Sequence, residues 1–350
     1  MMFQRYEINA KLEAGGPMKT TSVLIQSLCV PCYDYCRYCL LSWNGKIVGA
    51  DWDRSVRLAE RFMDELRNQQ PELKRGFSFG YSMEHPNLQG AIRTLHRLGG
   101  PIAEYLQCDG MKMRDDSECI ELMNMLHDEG IKQLNFTIYG LSDYHDRFAG
   151  RKGDFELLMR MMRAAKESQL PFSTGIPLTA ENIHQVDNLV SFLQDIGSGK
   201  VFLTIPHEEG RGKLLRNVRL SMKEFMELSA ETQKLLNKSI YRTERDWLQE
   251  SEPLQDNQRM ILISLRPDTI DDYEKRDVMS VIREIEALDE KYYSSYPGFQ
   301  ELAKMYGDPN HEQMYRIRDL YYHYRTQYAQ EHDIKVYDVT DERQSGSRRY

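Results

Sequence analysis

Long apolar runs are missing from this sequence. Its longest hydrophobic stretches fall far short of the roughly 18–20 residues that span a bilayer, and its mean hydropathy is −0.63. Residues Met1 to Met18 hold no apolar core followed by a small-residue cleavage site, so neither a membrane span nor export is expected. Net positive charge is missing too. Against 54 Asp and Glu stand 46 Lys and Arg, a formal charge of −8. That balance disfavours broad nucleic-acid binding, which leans on phosphate neutralisation. No cysteine follows Cys119, no low-complexity tract occurs, and no glycine-rich linker marks a boundary near residue 213. The rest is ordinary globular composition, 41% hydrophobic and 29% charged. The length suits one domain of about 200 residues with an appendage. The basic ending, Arg343 to Tyr350, reads as a solvated tail.

Against these absences stands one concentration. The stretch Cys29-Val-Pro-Cys32-Tyr-Asp-Tyr-Cys36-Arg-Tyr-Cys39 holds four of the six cysteines. The β-prone run Ser22-Val-Leu-Ile-Gln26 leads into it, placing the thiols on a loop that leaves the first strand. In an unexported chain, clustered thiols point to metal rather than disulfide. A structural zinc site fits poorly, because its cysteine pairs usually lie about a dozen or more residues apart. A thioredoxin-like C-x-x-C pair leaves Cys36 and Cys39 unexplained. Cys108 and Cys119 read as isolated buried thiols. An iron–sulfur cluster, held by thiolates closely spaced on one loop, accounts for the cluster of four.

The chain order supplies the housing. Gly15-Gly16-Pro17 is a turn signal before the first strand. Helices are expected at Asp51 to Gln70, Pro86 to Leu98, Ser117 to Asp128, Asp154 to Ser168 and Asn182 to Ile196. Strands are expected at Arg75 to Gly80, Ala103 to Cys108, Gln133 to Tyr139, Phe172 to Ile176 and Val201 to Ile205. With the first strand this makes six strands alternating with helices, hence parallel pairing through right-handed crossovers. The expected fold is α/β, a partial (β/α)6 TIM-like barrel over residues 19–212. Residues 1–18 precede it, and a mostly helical region, 213–350, packs on it. Functional residues then belong on the loops after the strands. In the C-terminal region, Ser221 to Asn237 opens with a capping-box match between Ser221 and Glu224. Met260 to Leu265 reads as a strand ended by Arg266-Pro267. Long helices are expected at about 270–293 and 311–332 around a turn at 296–309, with an edge strand at Ile334 to Asp338.

The spacing Cys32-x3-Cys36-x2-Cys39, with the aromatic Tyr38 before the last cysteine, resembles the signature of the radical S-adenosylmethionine (radical SAM) superfamily. So does its position after the first strand of a six-unit barrel. The resemblance covers roughly residues 19–212. It implies that Cys32, Cys36 and Cys39 ligate a [4Fe–4S] cluster, with Cys29 a bystander, and that the iron lacking a protein ligand chelates SAM. Reductive cleavage of SAM then yields methionine and a 5′-deoxyadenosyl radical that abstracts hydrogen from a substrate.

The resemblance also implies a set of SAM-side residues. Glu84 stands in Gly80-Tyr-Ser-Met-Glu84-His85-Pro86, where the family usually carries Gly-Gly-Glu-Pro; a helix-start acid is the alternative reading. Asn135 and Thr137 share one strand face with Tyr139. Arg147 lies just before Gly150-Arg-Lys-Gly153, Thr174 and Ser173 lie on the fifth strand, and Arg211 stands in Gly210-Arg-Gly212. The methionines of 159–162 read as core. His85, His145 and His207 lie near the active-face loops without a second ligand at metal spacing. With no thiol after Cys119, a single cluster follows.

The reading is thus a cytoplasmic radical SAM enzyme acting on a peptide or small molecule. It would be served by a reductase or a flavodoxin- or ferredoxin-type electron donor, without nucleic acid or membrane. Modification or methylation of a nucleic acid, and a non-enzymatic zinc- or cluster-binding scaffold, are the alternatives.

Overall fold

The computed structural model describes residues 19–27, 32–39, 49–79, 83–99, 105–250, 258–334 and 345–349. Cys29, the Gly80 end of its motif and most of the edge strand expected at 334–338 lie outside the described residues.

Strand β1 (Lys19–Ser27) is apolar on both faces, with Val23, Leu24 and Ile25 all buried, as befits a central strand of a covered parallel sheet. It leads to helix α1 (Trp52–Gln69), where Asp51 caps the N-terminus by accepting from Arg54 N at 2.9 Å. The helically spaced Leu58, Ala59, Phe62, Met63 and Leu66 form its buried face. Next come β2 (Lys74–Ser78), α2 (Leu88–Leu98), β3 (Tyr105–Gln107) and α3 (Asp116–Asp128). Helix α3 carries a complete capping box between Asp115 and Glu118. Then follow β4 (Gln133–Thr137), α4 (Ser142–Ala149), α5 (Asp154–Glu167), β5 (Phe172–Pro177), α6 (Val186–Ile196) and β6 (Lys200–Thr204). The six strands alternate with helices as expected, and α4 is a helix additional to those expected.

Two parallel sheets make the barrel wall, β1–β2 in one and β3-β4-β5-β6 in the other. The architecture is a partial (β/α)6 barrel. One large apolar core runs between the strands and their helices, from Val23 and Phe62 through Phe136 and Met162 to Leu203. The methionines of α5 belong to it.

The C-terminal region does more than pack on this wall. Strand β8 (Gln258–Leu265) lies parallel to β1 in register from Lys19↔Gln258 to Ser27↔Leu265. The sheet therefore crosses the position expected as a boundary at 212/213. The basic tail is not a free solvated end, because Ser345–Arg349 (β10) pairs antiparallel with β8. Before β8 come the single turns α7 (Met222–Phe225) and α8 (Ala230–Gln233), strand β7 (Arg242–Thr243) and α9 (Glu244–Leu248).

Three long helices expected from periodicity are shorter than read. The Ser221–Glu224 capping box forms, but Ser229 donates through N–H and hydroxyl to Asp187 on α6 and caps α8. That tertiary contact breaks the 221–237 stretch. Residues 270–293 divide into α10 (Ile270–Tyr273) and α11 (Val278–Tyr293), where Asp277 caps α11 and Glu65 on α1 accepts from Val278 N at 2.7 Å. The turn read at 296–309 contains α12 (Phe299–Tyr306). Strand β9 (Met314–Tyr315), paired with β7, occupies the start of the third stretch, so α13 begins later, at Ile317–His332. Helix α13 is latched to the loop after β6, where Asp319 accepts from Glu208 N and buried Glu208 pairs with Arg219 at 2.5 Å and Arg216 at 2.6 Å.

Candidate active site at the carboxyl ends of the strands

Within each sheet the strands β1 to β6 run parallel, and the Glu84–Arg114 pair joins the loop after β2 to the loop after β3, so that their carboxyl ends share one rim. Backbone bonds hold the segment Cys32–Cys39 against that rim. Tyr33 N donates to Gly110 O (2.8 Å) in the loop after β3, while Tyr35 N and Arg37 N donate to Ala149 O (2.7 Å) and Phe148 O (2.9 Å) at the end of α4. Cys39 O accepts from Arg211 N at 3.0 Å, beyond β6. Three segments distant in sequence thus fix the shape of this loop.

Cys32, Cys36 and Cys39 are unbridged and half-buried. Burial pushes the Cys32 thiol up to about 12, with Asp34 adding to the shift, and raises Cys36 well above the usual thiol range for the same two reasons. Cys39 adds to both shifts. Such sulfurs hold their protons, so a metal bound here would displace them. Among the described residues no three His, Cys, Asp or Glu side chains are gathered around a single-ion site. A four-iron cubane makes a different demand, since it spreads its thiolates over separate corners. Gly110, with φ +63°, gives the Cys32 sulfur its place, since a Cβ there would collide with Cys32 Sγ. The donor set and this clearance fit an iron–sulfur cluster.

Around the thiols lies a buried polar and aromatic shell. Tyr139, just past β4, donates its hydroxyl to Cys36 Sγ at 3.2 Å. Its ring stacks on Phe148 (4.5 Å) and His145 (5.0 Å), with Tyr38 edge-on at 5.5 Å. Tyr139 N donates to His145 Nδ1 (3.1 Å), so the proton of this imidazole sits on Nε2, which donates to Asp154 at 3.0 Å. Arg151 pairs with Asp154 and reaches Asp34 of the cysteine loop at 3.0 Å. The Asp34 carboxyl is pushed up to about 8, first by burial and then by Asp154, with Arg151 opposing. Asp109, after β3, is raised to about 6 by burial, although it accepts from Thr137 N (2.9 Å) and Thr137 Oγ1 (2.8 Å).

The expected SAM-side residues distribute unevenly. Tyr38 and Thr137 lie in this shell. Asn135 shares the inner strand face with Thr137, accepts from Ser173 Oγ, and helps line a cavity of about 980 Å³ between β4–β6 and residues 230–241. Arg211 is buried with its guanidinium 3.6 Å from the Tyr35 ring centre. Arg147 is exposed beside Tyr144 in a cleft of about 580 Å³ that also includes Arg37 and Glu181. Glu84 forms a buried bidentate pair with Arg114 (2.6 and 3.0 Å) and accepts from Lys112 N (3.0 Å), tying the loop after β2 to the loop after β3. It is not a helix-start acid.

Thr174 departs from expectation. By strand alternation it falls on the opposite face from Ser173, and its hydroxyl meets Ser198 after α6 at 3.0 Å. His85 accepts from Asn87 N, and His207 is bound to Arg318 and Asp319. His145, expected near the active-face loops, lies in this shell, and Asp154, Arg151 and Asp109 join it without having been expected as site residues. The two glycines flanking Arg151, both at positive φ (Gly150 and Gly153), were the available sign of a tightly shaped loop there.

Residues 29–193 match the family model of the Radical SAM superfamily. The chain thus carries a Radical SAM superfamily domain over a little under half of its length, and the cofactors of that superfamily are a [4Fe–4S] cluster and SAM. Among solved structures it is similar to coproporphyrinogen III oxidase (HemN) from Escherichia coli, at 13% identity and TM-score 0.42, over 65% of this chain and 54% of that one. It is also similar to Streptococcus suis SuiB bound to the precursor peptide SuiA, at 12% identity and TM-score 0.47, over 71% and 57%. A third similar structure is anSMEcpe with bound AdoMet and Cp18Cys peptide, at 16% identity and TM-score 0.41, over 59% and 57%. The chain thus spans a little more than half the length of each of these structures. No curated protein matches it. No helix among the described residues is long and apolar enough to cross a membrane.

Proposed function

We propose that Cys32, Cys36 and Cys39 hold a single [4Fe–4S] cluster and that the chain uses it, with SAM, to abstract hydrogen from a peptide or small molecule. The observation that carries this is the cysteine loop itself, with three unbridged thiols pinned by the loops after β3 and β6 and by the end of α4, and with Gly110 leaving space at Cys32. When bound, the cluster supplies the electron that cleaves SAM, and the open iron supplies its anchor. The chain's own residues bind and orient. Thr137 and Asn135 present polar groups from the inner face of β4, Arg211 brings a buried cation beside the loop, and Tyr38 supplies an aromatic surface. Glu84 acts through Arg114, which it holds in the loop after β3. Arg147 stands at the outer cleft. Thr174 faces the helices and is left out of the set. The electron comes from a reductase or a flavodoxin- or ferredoxin-type carrier in the cytoplasm.

Anaerobic reconstitution should load about four irons and four sulfides per chain, and dithionite with SAM should then yield 5′-deoxyadenosine. One zinc without sulfide, or product formation that persists in Cys36→Ala, would refute the assignment.

A further inference from the structure

We infer that Tyr139 sets the reduction potential of the cluster by donating a hydrogen bond to the sulfur of Cys36. The inference rests on Cys36 being a cluster ligand and adds a role for a residue that is not itself one. The donor is in place, with the Tyr139 oxygen 3.2 Å from Cys36 Sγ. The residue is 3% exposed, so its hydroxyl has little access to water, and a buried hydroxyl left without a partner is costly. Sulfur is the partner provided.

The position of that hydroxyl is fixed from the backbone outward. Tyr139 N donates to His145 Nδ1 at 3.1 Å, and Tyr139 O accepts from Asn182 Nδ2 at 2.8 Å. Both partners are fully buried and are themselves anchored, His145 by Asp154 at 3.0 Å and Asn182 by Thr179 N at 2.8 Å. Stacking on Phe148 and His145 then fixes the ring plane. A phenol so held cannot follow the sulfur away or turn to another acceptor. Packing alone would be met by phenylalanine; the fixed hydroxyl is what points to a function at the sulfur. Hydrogen bonds to cluster sulfurs are one of the means by which a protein sets cluster potential. A donor draws electron density from the thiolate, favours the more negative reduced cluster, and moves the potential upward.

The test uses the reconstituted full chain in three forms: wild type, Tyr139→Phe, and the chain with 3,5-difluorotyrosine at position 139. Iron and sulfide are counted, and the midpoint potential is read by anaerobic titration followed by the paramagnetic signal of the reduced cluster. Tyr139→Phe should keep wild-type iron and sulfide and shift the potential to more negative values. The fluorinated ring, a stronger donor in the same space, should shift it to more positive values. Equal potentials in the three forms would overturn the inference. Should Tyr139→Phe fail to load iron, an unshifted potential in the fluorinated chain overturns it equally. Failure of the underlying assignment looks different, because wild type would then load no cluster, or Cys36→Ala would retain all of it.

Discussion

Exchanging Gly110 for alanine tests the site through a single methyl group. Gly110 has φ +63° and Gly130 has φ +81°, so an alanine at either place pays the left-handed cost of about 1–2 kcal/mol. They differ in what the added Cβ meets. At Gly130 the nearest atom is His96 Nε2 at 3.9 Å, an ordinary contact; at Gly110 it is Cys32 Sγ at 2.2 Å, well inside any permissible separation. In the iron-free chain the Cys32 side chain has one rotor and turns away at little cost. Once its sulfur is a ligand it has no such freedom. Urea unfolding of the iron-free proteins should therefore show both variants less stable by similar amounts, about 1–2 kcal/mol. Reconstitution should separate them, with Gly130→Ala loading iron like wild type and Gly110→Ala losing most of it. Equal iron and sulfide in the two variants would refute the reasoning, since it would show that the Cys32 sulfur is not confined at Gly110.

Arg114→Met leaves Glu84 beneath the rim with Lys112 N as its one remaining donor among the described residues, and should cost about 3–5 kcal/mol in urea unfolding, part of it regained in the double variant with Glu84→Gln. Thr137→Val should weaken SAM binding about five- to tenfold by calorimetry, the worth of one hydrogen bond of about 1 kcal/mol or slightly more. Thr174→Val, on the opposite face, should leave SAM binding within about twofold of wild type. Asp109 gives a pH dependence of definite sign. Its folded carboxyl titrates at about 6, above the ordinary 3.8, so the folded chain holds a proton that the unfolded chain has lost. Its contribution to stability is therefore fullest below the ordinary value, falls as pH rises through 6, and is flat above that. Melting temperatures of iron-free wild type and Asp109→Asn between pH 4 and 8 should differ in slope below about pH 6 and run parallel above it; curves parallel throughout would refute it.

What could be read along the chain depends on neighbours along the chain. The C-x3-C-x2-C spacing, the six-unit rhythm and the Ser221–Glu224 cap each involve residues a few positions apart, and sequence periodicity reports such relations directly. Alternation also placed Asn135 and Thr137 on one face of β4. It left open which face of β5 turns inward, and register settled that, pairing Asn135 with Ser173 and putting Thr174 beside the helices. The helical pattern was real over single turns at 221–237 and over a turn and the long helix α11 at 270–293. Side chains far away in sequence, Asp187 and Glu65, decided where those turns stop.

The same division runs through the site. Local spacing marked the three thiols, because ligands on one short loop need no other part of the chain to be recognised. Only the folded chain brings β8 alongside β1, Arg114 onto Glu84, Arg151 onto Asp34, and Tyr139 onto Cys36. Those contacts join segments separated by tens to hundreds of residues. They form because parallel strands align their carboxyl ends on one rim, and because a charge or hydroxyl buried there must find its partner within reach.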